Sequence, residues 1–462
     1  MKVRNICAKI LALCLSLALL TAGVPVMAAG GRTDYQVTDA TSMSQWPQAP
    51  SVSAGSAYLI ELNSGEVLFA KDADEMRCPA SITKILTALI VLENGQLSDS
   101  VTLSRSAITI TEDNASKWGD KEGDVLTVEQ LLYAMMLDSV NEAANALAEY
   151  SAGSVGAFAE LMNTRAAALG CTNTHFTNCN GLTDAKHVTT AHDMALIMWA
   201  AVQNPEFVRI ASTTSYKTGP TVKTPSGYSF SMHHKMLLSS SEYYYADAVA
   251  GKTGYITASG NTLVTYAKRG DVELVAVVLK DTSAANSYID TKAMFEYGFN
   301  KFTLTDLSAA SENYCQSQAS AYPGGLSITG STLVMLPNGV TDVSMKLDLN
   351  PASSGETEGR LLYQCGNVTV GSAAVKAAAA GSGTSSGKAA GSQEAQTPDS
   401  QTAADQDNSR AKSPLFWVAV VLIAAAVLLV VYWCVVQTIK SRRRRRRTRN
   451  RYRSYSRGNK YR

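Results

Sequence analysis

The stretch CPASITKILTALIVLENG, residues 78–95, decides both the fold and the position of the chemistry. Its apolar residues recur at helical spacing, Pro79 stands near the start and Gly95 suits the C-terminal cap. The pattern predicts a helix that is buried on a wide apolar face. At the start of this helix, Ser81 and Lys84 form an S-x-x-K motif. Residues three apart share one face of a helix, so the Lys84 amine is expected beside the Ser81 hydroxyl.

A serine next to a lysine can form a catalytic pair. A serine hydroxyl is a poor nucleophile until a neighbouring group removes its proton. A lysine can act as that group if burial and nearby cations lower its pKa. At average composition S-x-x-K occurs by chance about twice in a chain of this length, so the motif needs support from elsewhere in the sequence.

Strand patterns stand at both ends of a region of mixed structure. Residues 56–74 alternate around an Asn-Ser-Gly turn and predict a hairpin, and residues 261–281 predict two strands joined at Arg-Gly-Asp. Helical patterns lie between and after these strands, at 126–153, 158–170 and 287–302, and residues 181–202 predict a turn followed by a helix. We therefore predict an α+β fold in which an antiparallel sheet is built from both ends of a domain, flanked by helices, with an inserted helical lobe.

A second motif, Ser139-Val140-Asn141, interrupts the helical pattern of residues 126–153. Its serine and asparagine are expected to face a cleft where the helices meet. An asparagine can hold a substrate amide, and a serine hydroxyl can relay a proton. The same tripeptide also suits a simple helix break, so this motif is weak by itself.

A third motif, Lys-Thr-Gly, occurs twice, at 217–219 and at 252–254. The first copy is followed by Pro220, and proline is excluded from a central strand because it lacks an N–H. The second copy is followed by Tyr255 and a strand pattern, as a motif on a strand edge requires. We therefore assign the second copy to the site.

In this order, the motifs and the stretches between them resemble the D-alanyl-D-alanine carboxypeptidase family of low-molecular-mass penicillin-binding proteins. The resemblance covers about residues 50–300 and includes ASITKILTALI, LLYAMMLDSVNEAANALAE, HVTTAHDMALI and AGKTGYI. It implies a β-lactamase/transpeptidase-like catalytic domain at 51–302. The implied reaction removes the last D-alanine from peptidoglycan stem peptides through an acyl-serine, with no metal or cofactor, and β-lactams acylate the same serine.

The resemblance also implies a role for each motif residue. Ser81 is implied as the acylated nucleophile, Lys84 as its base and Ser139 as a group that assists proton transfer. Substrate contacts are implied for the other motif residues, Asn141, Lys252, Thr253, Gly254 and Tyr255. Among these, the asparagine holds the peptide, the lysine and threonine bind the terminal carboxylate, and the N–H of Tyr255 forms an oxyanion hole with that of Ser81.

Other functions share these motifs and remain open at this point. A class A β-lactamase has all three motifs but normally adds an acidic residue for deacylation, which we cannot assign from the sequence. A penicillin-sensing or scaffold protein would keep the site without turnover, and an endopeptidase would differ only in the shape of its cleft. The five histidines lack metal-binding or catalytic spacing, so structural roles are favoured for them.

Both ends of the chain carry targeting patterns. Residues 1–28 combine a basic start, a short apolar core and a small-x-small cleavage site, which predicts a cleaved signal peptide rather than a retained anchor. Residues 414–437 contain an uncharged apolar run long enough to span a bilayer, and an arginine-rich tail follows at 438–462. The positive-inside rule then predicts a cytoplasmic tail and an extracytoplasmic body in the cell membrane.

The charge distribution agrees with this topology. Sixteen of the 41 lysines and arginines lie in the two ends, which contain none of the 39 acidic residues. The exported body is therefore acidic, which argues against nucleic-acid binding. Topology and contact with anionic lipids explain the arginine tail better.

The remaining segments are less regular. Residues 29–50 carry few structural signals and predict a flexible lead, and residues 303–370 contain short apolar runs between turns and predict a small β-rich domain. Residues 371–413 are rich in Ala, Gly and Ser and predict a linker. An exported domain permits disulfides. The spacing leaves two pairings open, Cys171–Cys179 and Cys315–Cys365, and Cys78 is then without a partner.

Overall fold

The computed structural model describes residues 35–36, 46–112, 115–119, 121–322, 324–351, 357–366 and 368–377. The predicted signal peptide, transmembrane helix and basic tail, together with most of the predicted linker, lie outside these residues. Within them, no helix combines the length and the apolar composition that crossing a membrane requires.

The described residues contain a run of consecutive helices between strands that come earlier and later in the chain. In chain order the strands are β1 (Tyr35–Gln36), β2 (Ser56–Glu61), β3 (Glu66–Lys71), β4 (Ser100–Thr102), β5 (Val125–Thr127), β6 (Ser215–Lys217), β7 (Ser229–Ser231), β8 (Ala248–Ile256), β9 (Gly260–Arg269), β10 (Val272–Asp281), β11 (Phe302–Asp306), β12 (Leu326–Ile328), β13 (Leu333–Pro337), β14 (Ser344–Pro351), β15 (Thr357–Cys365) and β16 (Val368–Ala377). The helices are α1 (Lys84–Asn94), α2 (Arg105–Ile108), α3 (Val128–Leu137), α4 (Asn141–Ala152), α5 (Val155–Ala168), α6 (Ala191–Val202), α7 (Pro205–Ala211), α8 (Ala284–Lys301) and α9 (Ser308–Ser317).

A six-stranded sheet in the order β1-β3-β2-β10-β9-β8 lies at the centre of the fold. All neighbouring strands are antiparallel except β1, which runs parallel to β3. Strands from the two ends of the domain meet where β2 pairs with β10, and Ile60 lies opposite Val275. The predicted α+β fold, with a sheet built from both ends, is confirmed.

Strand β10 is buried on both faces. Its residues Leu274, Ala276 and Val278 belong to the cluster that contains Phe295 of α8. The intervening residues, such as Val275, belong to the cluster formed with the inserted helices. Because side chains alternate along a strand, one strand supplies two cores, and the sheet separates α8 from the helical lobe of α1 and α3 to α7.

The helix predicted at residues 78–95 is confirmed, with a tighter start than expected. Residues Ala80–Thr83 form a 3-10 turn that leads directly into α1, and Gly95 follows its last residue. All side chains from Lys84 to Val91 are buried. Thr262 of β9 donates its hydroxyl to the carbonyl of Pro79 at 2.8 Å, which joins the start of this helix to the sheet.

A turn at residues 178–182 lies against the start of α1. Asn178 Oδ1 accepts hydrogen bonds from the N–H groups of Asn180 and Gly181, which holds the turn in shape. Gly181 has a φ of +84°, and a Cβ there would lie 1.9 Å from the carbonyl oxygen of Ala80. Only glycine permits this close approach of the two backbones.

Residues 302–377 form the predicted small β-rich region, with an additional helix. Strands β12, β16, β15 and β14 make one sheet, and β11 pairs with β13. Helix α9 was not predicted, and its Ser311 bonds the buried Tyr363 hydroxyl at 2.8 Å. Glu66 of the central sheet accepts the N–H of Met335 at 2.8 Å, which links this region to the larger one.

The structure differs from the sequence predictions at both boundaries of the globular region. The predicted flexible lead at 29–50 is too long, because Trp46 packs edge-on against Phe302 at 5.5 Å between ring centroids. The predicted linker begins too early, because β16 continues to Ala377. Alternate residues of this strand are buried, but several are alanine or glycine, so the composition concealed the strand pattern.

We expect Gly181→Ala to lower the free energy of unfolding by at least about 3 kcal/mol, because a methyl group cannot fit against the Ala80 carbonyl. Gly153→Ala is the matched control, since Gly153 has a φ of +81° with nothing within 4 Å of its Cβ position. The control is expected to lose only about 1 kcal/mol. Urea unfolding followed by circular dichroism would measure both, and equal losses would contradict the close approach.

Candidate active site

Ser81 and Lys84 meet at the start of α1, as their spacing predicts. The Lys84 amine lies 3.0 Å from the Ser81 hydroxyl oxygen. The 3-10 turn places the serine at the surface of the lobe while the lysine points inward and is fully buried. The predicted contact between the Ser81 hydroxyl and the Lys84 amine is therefore present.

The other two contacts of the Lys84 amine are with hydrogen-bond acceptors. It also donates to Asn141 Oδ1 at 2.8 Å and to the carbonyl oxygen of Asn180 at 2.6 Å. Both oxygens can only accept, so a neutral amine uses its two N–H groups on them and directs its lone pair to the Ser81 hydroxyl. Burial, followed by repulsion from Lys252, holds the Lys84 pKa well below its ordinary value.

The break between α3 and α4 presents the second motif. Ser139 has a φ of +59°, and its hydroxyl is buried without a hydrogen-bond partner among the described residues. Val140 caps α4 in an extended conformation, so Asn141 begins the helix with its side chain on Lys84. The predicted interruption near residues 138–139 is confirmed, and it brings Asn141 to the catalytic pair.

A buried acid, which the sequence analysis missed, follows this motif directly. Glu142 accepts the N–H of Trp118 at 3.0 Å, and its second carboxylate oxygen is buried without a partner among the described residues. Its negative charge raises the Lys84 pKa and so opposes the larger effect of burial. Asn141 Nδ2 donates to the carbonyl of Ser116 at 3.0 Å. Asn141 and Glu142 therefore both hydrogen-bond the segment 115–119 and keep it against the site.

The second Lys-Thr-Gly copy lies on β8, at the edge of the central sheet. A Cβ at Gly254 would lie 2.8 Å from the Ser81 nitrogen, so this strand directly adjoins the nucleophile. Lys252 is buried and donates to the carbonyl of Thr253 at 3.0 Å, whereas Tyr255 is exposed. Burial lowers the Lys252 pKa to about 7, and the charge of Asp138 partly opposes this effect.

The first Lys-Thr-Gly copy has a structural role. Lys217 ends β6, which pairs only with β7 in a separate two-stranded sheet. The hydroxyl of Thr218 donates to the carbonyl of Gly219 and accepts the N–H of Tyr228, which closes the loop between the two strands. The assignment of the second copy to the site therefore agrees with the geometry.

Histidines beside the site serve its structure. Thr83 donates its hydroxyl to the Ala80 carbonyl, so the Nε2 of His187 donates to that hydroxyl at 2.9 Å. The other ring nitrogen accepts the N–H of Thr177 at 3.0 Å, which fits a neutral ring. Burial lowers the pKa of His187 to about 4 and that of His234 to about 3.

The cysteines of the described region are all free thiols, so neither pairing that the spacing left open is formed. Cys171 donates to the Asp193 carbonyl at 3.6 Å, and Cys179 donates to Asn145 Oδ1 at 3.4 Å. Each of these two thiols is thus held in its own buried environment. Spacing along the chain could not predict this, because pairing depends on distances in space.

A serine beside a buried lysine of lowered pKa, at the edge of an antiparallel sheet and under a helical lobe, is typical of a serine hydrolase. The family profile described as D-alanyl-D-alanine carboxypeptidase matches residues 43–283. The chain belongs to this family of serine peptidases. The resemblance predicted from the motifs and the predicted enzyme class are confirmed.

Individual relatives agree with this assignment. The D-alanyl-D-alanine carboxypeptidase DacB2 of Mycobacterium tuberculosis is 34% identical over 54% of this chain and 84% of its own length. DacF of Bacillus subtilis is 28% identical over 54% of this chain, and the match spans 63% of DacF, less than two thirds of its length. The solved DD-transpeptidase of Streptomyces K15 is 32% identical, with a TM-score of 0.51 over 55% of this chain and 100% of that one.

We expect Glu142→Gln to move the acid limb of the kcat/KM pH profile to lower pH. Glu142 raises the Lys84 pKa, so removing its charge lowers that pKa further and leaves the base neutral in more acidic solution. The glutamine oxygen can still accept the Trp118 N–H, which preserves the segment. Glu149→Gln, on the far end of α4, is the control and should leave the limb in place. A limb that moves to higher pH would contradict this electrostatic role.

Proposed function

We propose that the protein is a serine-type carboxypeptidase that removes the terminal D-alanine from peptidoglycan stem peptides. One observation carries the proposal: the buried Lys84 amine contacts the Ser81 hydroxyl, while its two other partners can only accept hydrogen bonds. Burial lowers the Lys84 pKa and so favours the neutral amine that a base requires, and the contact with Ser81 orients it. Membership of the family supports the same choice of reaction.

In the proposed acylation, Ser81 Oγ attacks the carbonyl carbon of the penultimate D-alanine, and Lys84 takes the hydroxyl proton. The bond to the terminal D-alanine nitrogen then breaks, and that proton is delivered to the leaving amine. The Ser139 hydroxyl lies on the adjoining segment and has no competing partner among the described residues, so it is suited to relay this proton.

In the proposed deacylation, a water molecule attacks the ester carbon while Lys84 takes one of its protons. The ester bond breaks, and Ser81 recovers its proton from the lysine. The product is the shortened peptide with a free carboxylate. Penicillin would enter at the acylation step, and its ring-opened acyl group would remain on Ser81 while hydrolysis is slow.

Substrate contacts are proposed for the residues that line the two sides of Ser81. Asn141, at the start of α4, is placed to hold the peptide amide, and Lys252 with Thr253 is placed to bind the terminal carboxylate. The close approach of Gly254 to the Ser81 nitrogen supports an oxyanion hole made by the N–H groups of Ser81 and Tyr255.

We further propose that the catalytic region works outside the cytoplasm, anchored through the segment at 414–437. The sequence supports this with a signal-peptide pattern at 1–28 and an arginine-rich tail at 438–462. The proposed substrate lies on the same side of the membrane. Protease digestion of intact and permeabilised spheroplasts would test it, because only permeabilisation should expose the tail.

We expect Ser81→Ala to reduce release of D-alanine from a peptide ending in Lys-D-Ala-D-Ala by about a thousandfold or more, because the acyl ester forms on that hydroxyl. The same samples, incubated with penicillin and digested, should show the mass of the drug on the Ser81 peptide of the wild type only. Rapid release of hydrolysed penicillin would instead indicate a β-lactamase. Attachment of penicillin without D-alanine release would indicate a sensor or an enzyme that needs cross-linked peptides.

We expect Lys252→Ala to lower kcat/KM for the same peptide by about 10- to 100-fold, since the variant loses the cation proposed to bind the terminal carboxylate. Lys217→Ala is the matched control, because it alters the first Lys-Thr-Gly copy on β6. The control should retain wild-type kcat/KM within about twofold, as expected for a change at an exposed surface position. A comparable loss in both variants would contradict the assignment of the second copy.

A further inference from the structure

A contact between the side chains of Asp138 and His233 joins the helical lobe to the segment that precedes the edge strand β8. Asp138 caps α3 and directly precedes Ser139, so it belongs to the helical wall. His233 lies in the segment between β7 and β8, on the side of the sheet edge. The His233 Nε2 is 3.2 Å from Asp138 Oδ1, and the N–H of Ser231 also donates to that oxygen at 3.3 Å.

The charges of this pair act on Lys252. Asp138 attracts the Lys252 ammonium and raises its pKa, while Lys252 repels a protonated His233 and lowers the His233 pKa after the larger effect of burial. Lys252 also repels a protonated Lys84 and lowers the Lys84 pKa. Asp138 is therefore the acid that favours a charged Lys252 in a site with two lysines.

The same acid creates a difficulty for an anionic substrate. The Asp138 side chain is 26% exposed and that of His233 is 54% exposed, so solvent and small solutes can reach both. A carboxylate that binds Lys252 would meet the negative charge of Asp138, and like charges in contact are strongly unfavourable. The imidazole of His233 contacts Asp138 Oδ1 and so covers one carboxylate oxygen from the incoming group.

We propose that the Asp138–His233 pair determines the preference of the site for ligands with a free terminal carboxylate. Asp138 favours the charged form of Lys252, and His233 shields Asp138 from the incoming carboxylate. Neither residue touches the reacting atoms, so both are positioning residues. This inference rests on the proposed function, because it assumes that Lys252 receives the carboxylate of the substrate.

The test measures kcat/KM of the full-length protein for two substrates. One is a peptide ending in Lys-D-Ala-D-Ala, and the other is the same peptide with a terminal carboxamide. The ratio of their kcat/KM values measures the preference for the carboxylate and is insensitive to a general loss of active enzyme. We expect His233→Ala to lower this ratio about tenfold, mainly through KM for the acid. His233→Gln keeps a hydrogen-bond donor and should lie between the wild type and His233→Ala.

The same change made in an Asp138→Asn variant tests separately whether His233 acts by shielding Asp138. In Asp138→Asn there is no carboxylate to shield, so adding His233→Ala should leave the ratio unchanged within about twofold. His192→Ala is the matched control. His192 lies on α6, its Nδ1 is 3.0 Å from Asp74 Oδ1, and it takes no part in the proposed site. An unchanged ratio in His233→Ala, or an equal fall in both backgrounds, would overturn the proposal.

Acylation by penicillin separates this inference from the proposed function, because penicillin also carries a carboxylate. If the wild type is acylated but releases no D-alanine, the proposed function fails, and the acylation rate becomes the readout. His233→Ala should then slow acylation about tenfold while His192→Ala does not. Equal acylation rates in the wild type and His233→Ala would overturn the proposed role of the Asp138–His233 pair. A wild type that neither releases D-alanine nor is acylated by penicillin would overturn both proposals.

Discussion

The burial of one lysine amine is the constraint on which the rest of the site depends. An amine removed from water must find hydrogen-bond partners, and a charged amine is far more unfavourable there than a neutral one. Lys84 satisfies this requirement with the hydroxyl of Ser81, the amide oxygen of Asn141 and the backbone carbonyl of Asn180. These partners come from three separate parts of the chain, so the fold must bring all three together before the serine has its base.

The backbone makes this convergence possible through close approaches. Gly181 lets the turn that carries Asn180 reach the start of α1, and Gly254 lets the edge strand lie against Ser81. The hydroxyl of Thr262 ties the same helix start to the sheet through the Pro79 carbonyl. The nucleophile thus lies between the sheet edge and the helical lobe, where either wall can contribute to substrate binding.

The two lysines of the site differ in the charged groups that surround them. Burial and repulsion from Lys252 hold the Lys84 pKa well below its ordinary value, and the charge of Glu142 partly opposes them. Lys252 is buried near the edge of the sheet, where Asp138 favours its charged form. Two carboxylates that oppose the effect of burial on these lysines, Glu142 and Asp138, lie on either side of the Ser139–Asn141 motif. One short segment therefore carries both the polar side chains of the site and the charges that adjust its lysines.

The sequence alone determined the order of the motifs, the buried helix at residues 78–95, the sheet built from both ends and the choice between the two Lys-Thr-Gly copies. These features follow from local periodicity and from the chemistry of single residues, both of which can be observed along the chain. Only the tertiary structure decided the contact of the Asn180 carbonyl with Lys84, the burial of Glu142 and the pairing of Asp138 with His233. Every residue has a backbone carbonyl, so residue type does not indicate which carbonyl will contact Lys84. The contacts Lys84–Asn180 and Asp138–His233 also join residues up to 96 positions apart in the chain. Such contacts depend on how closely folded segments approach one another, which local patterns do not encode.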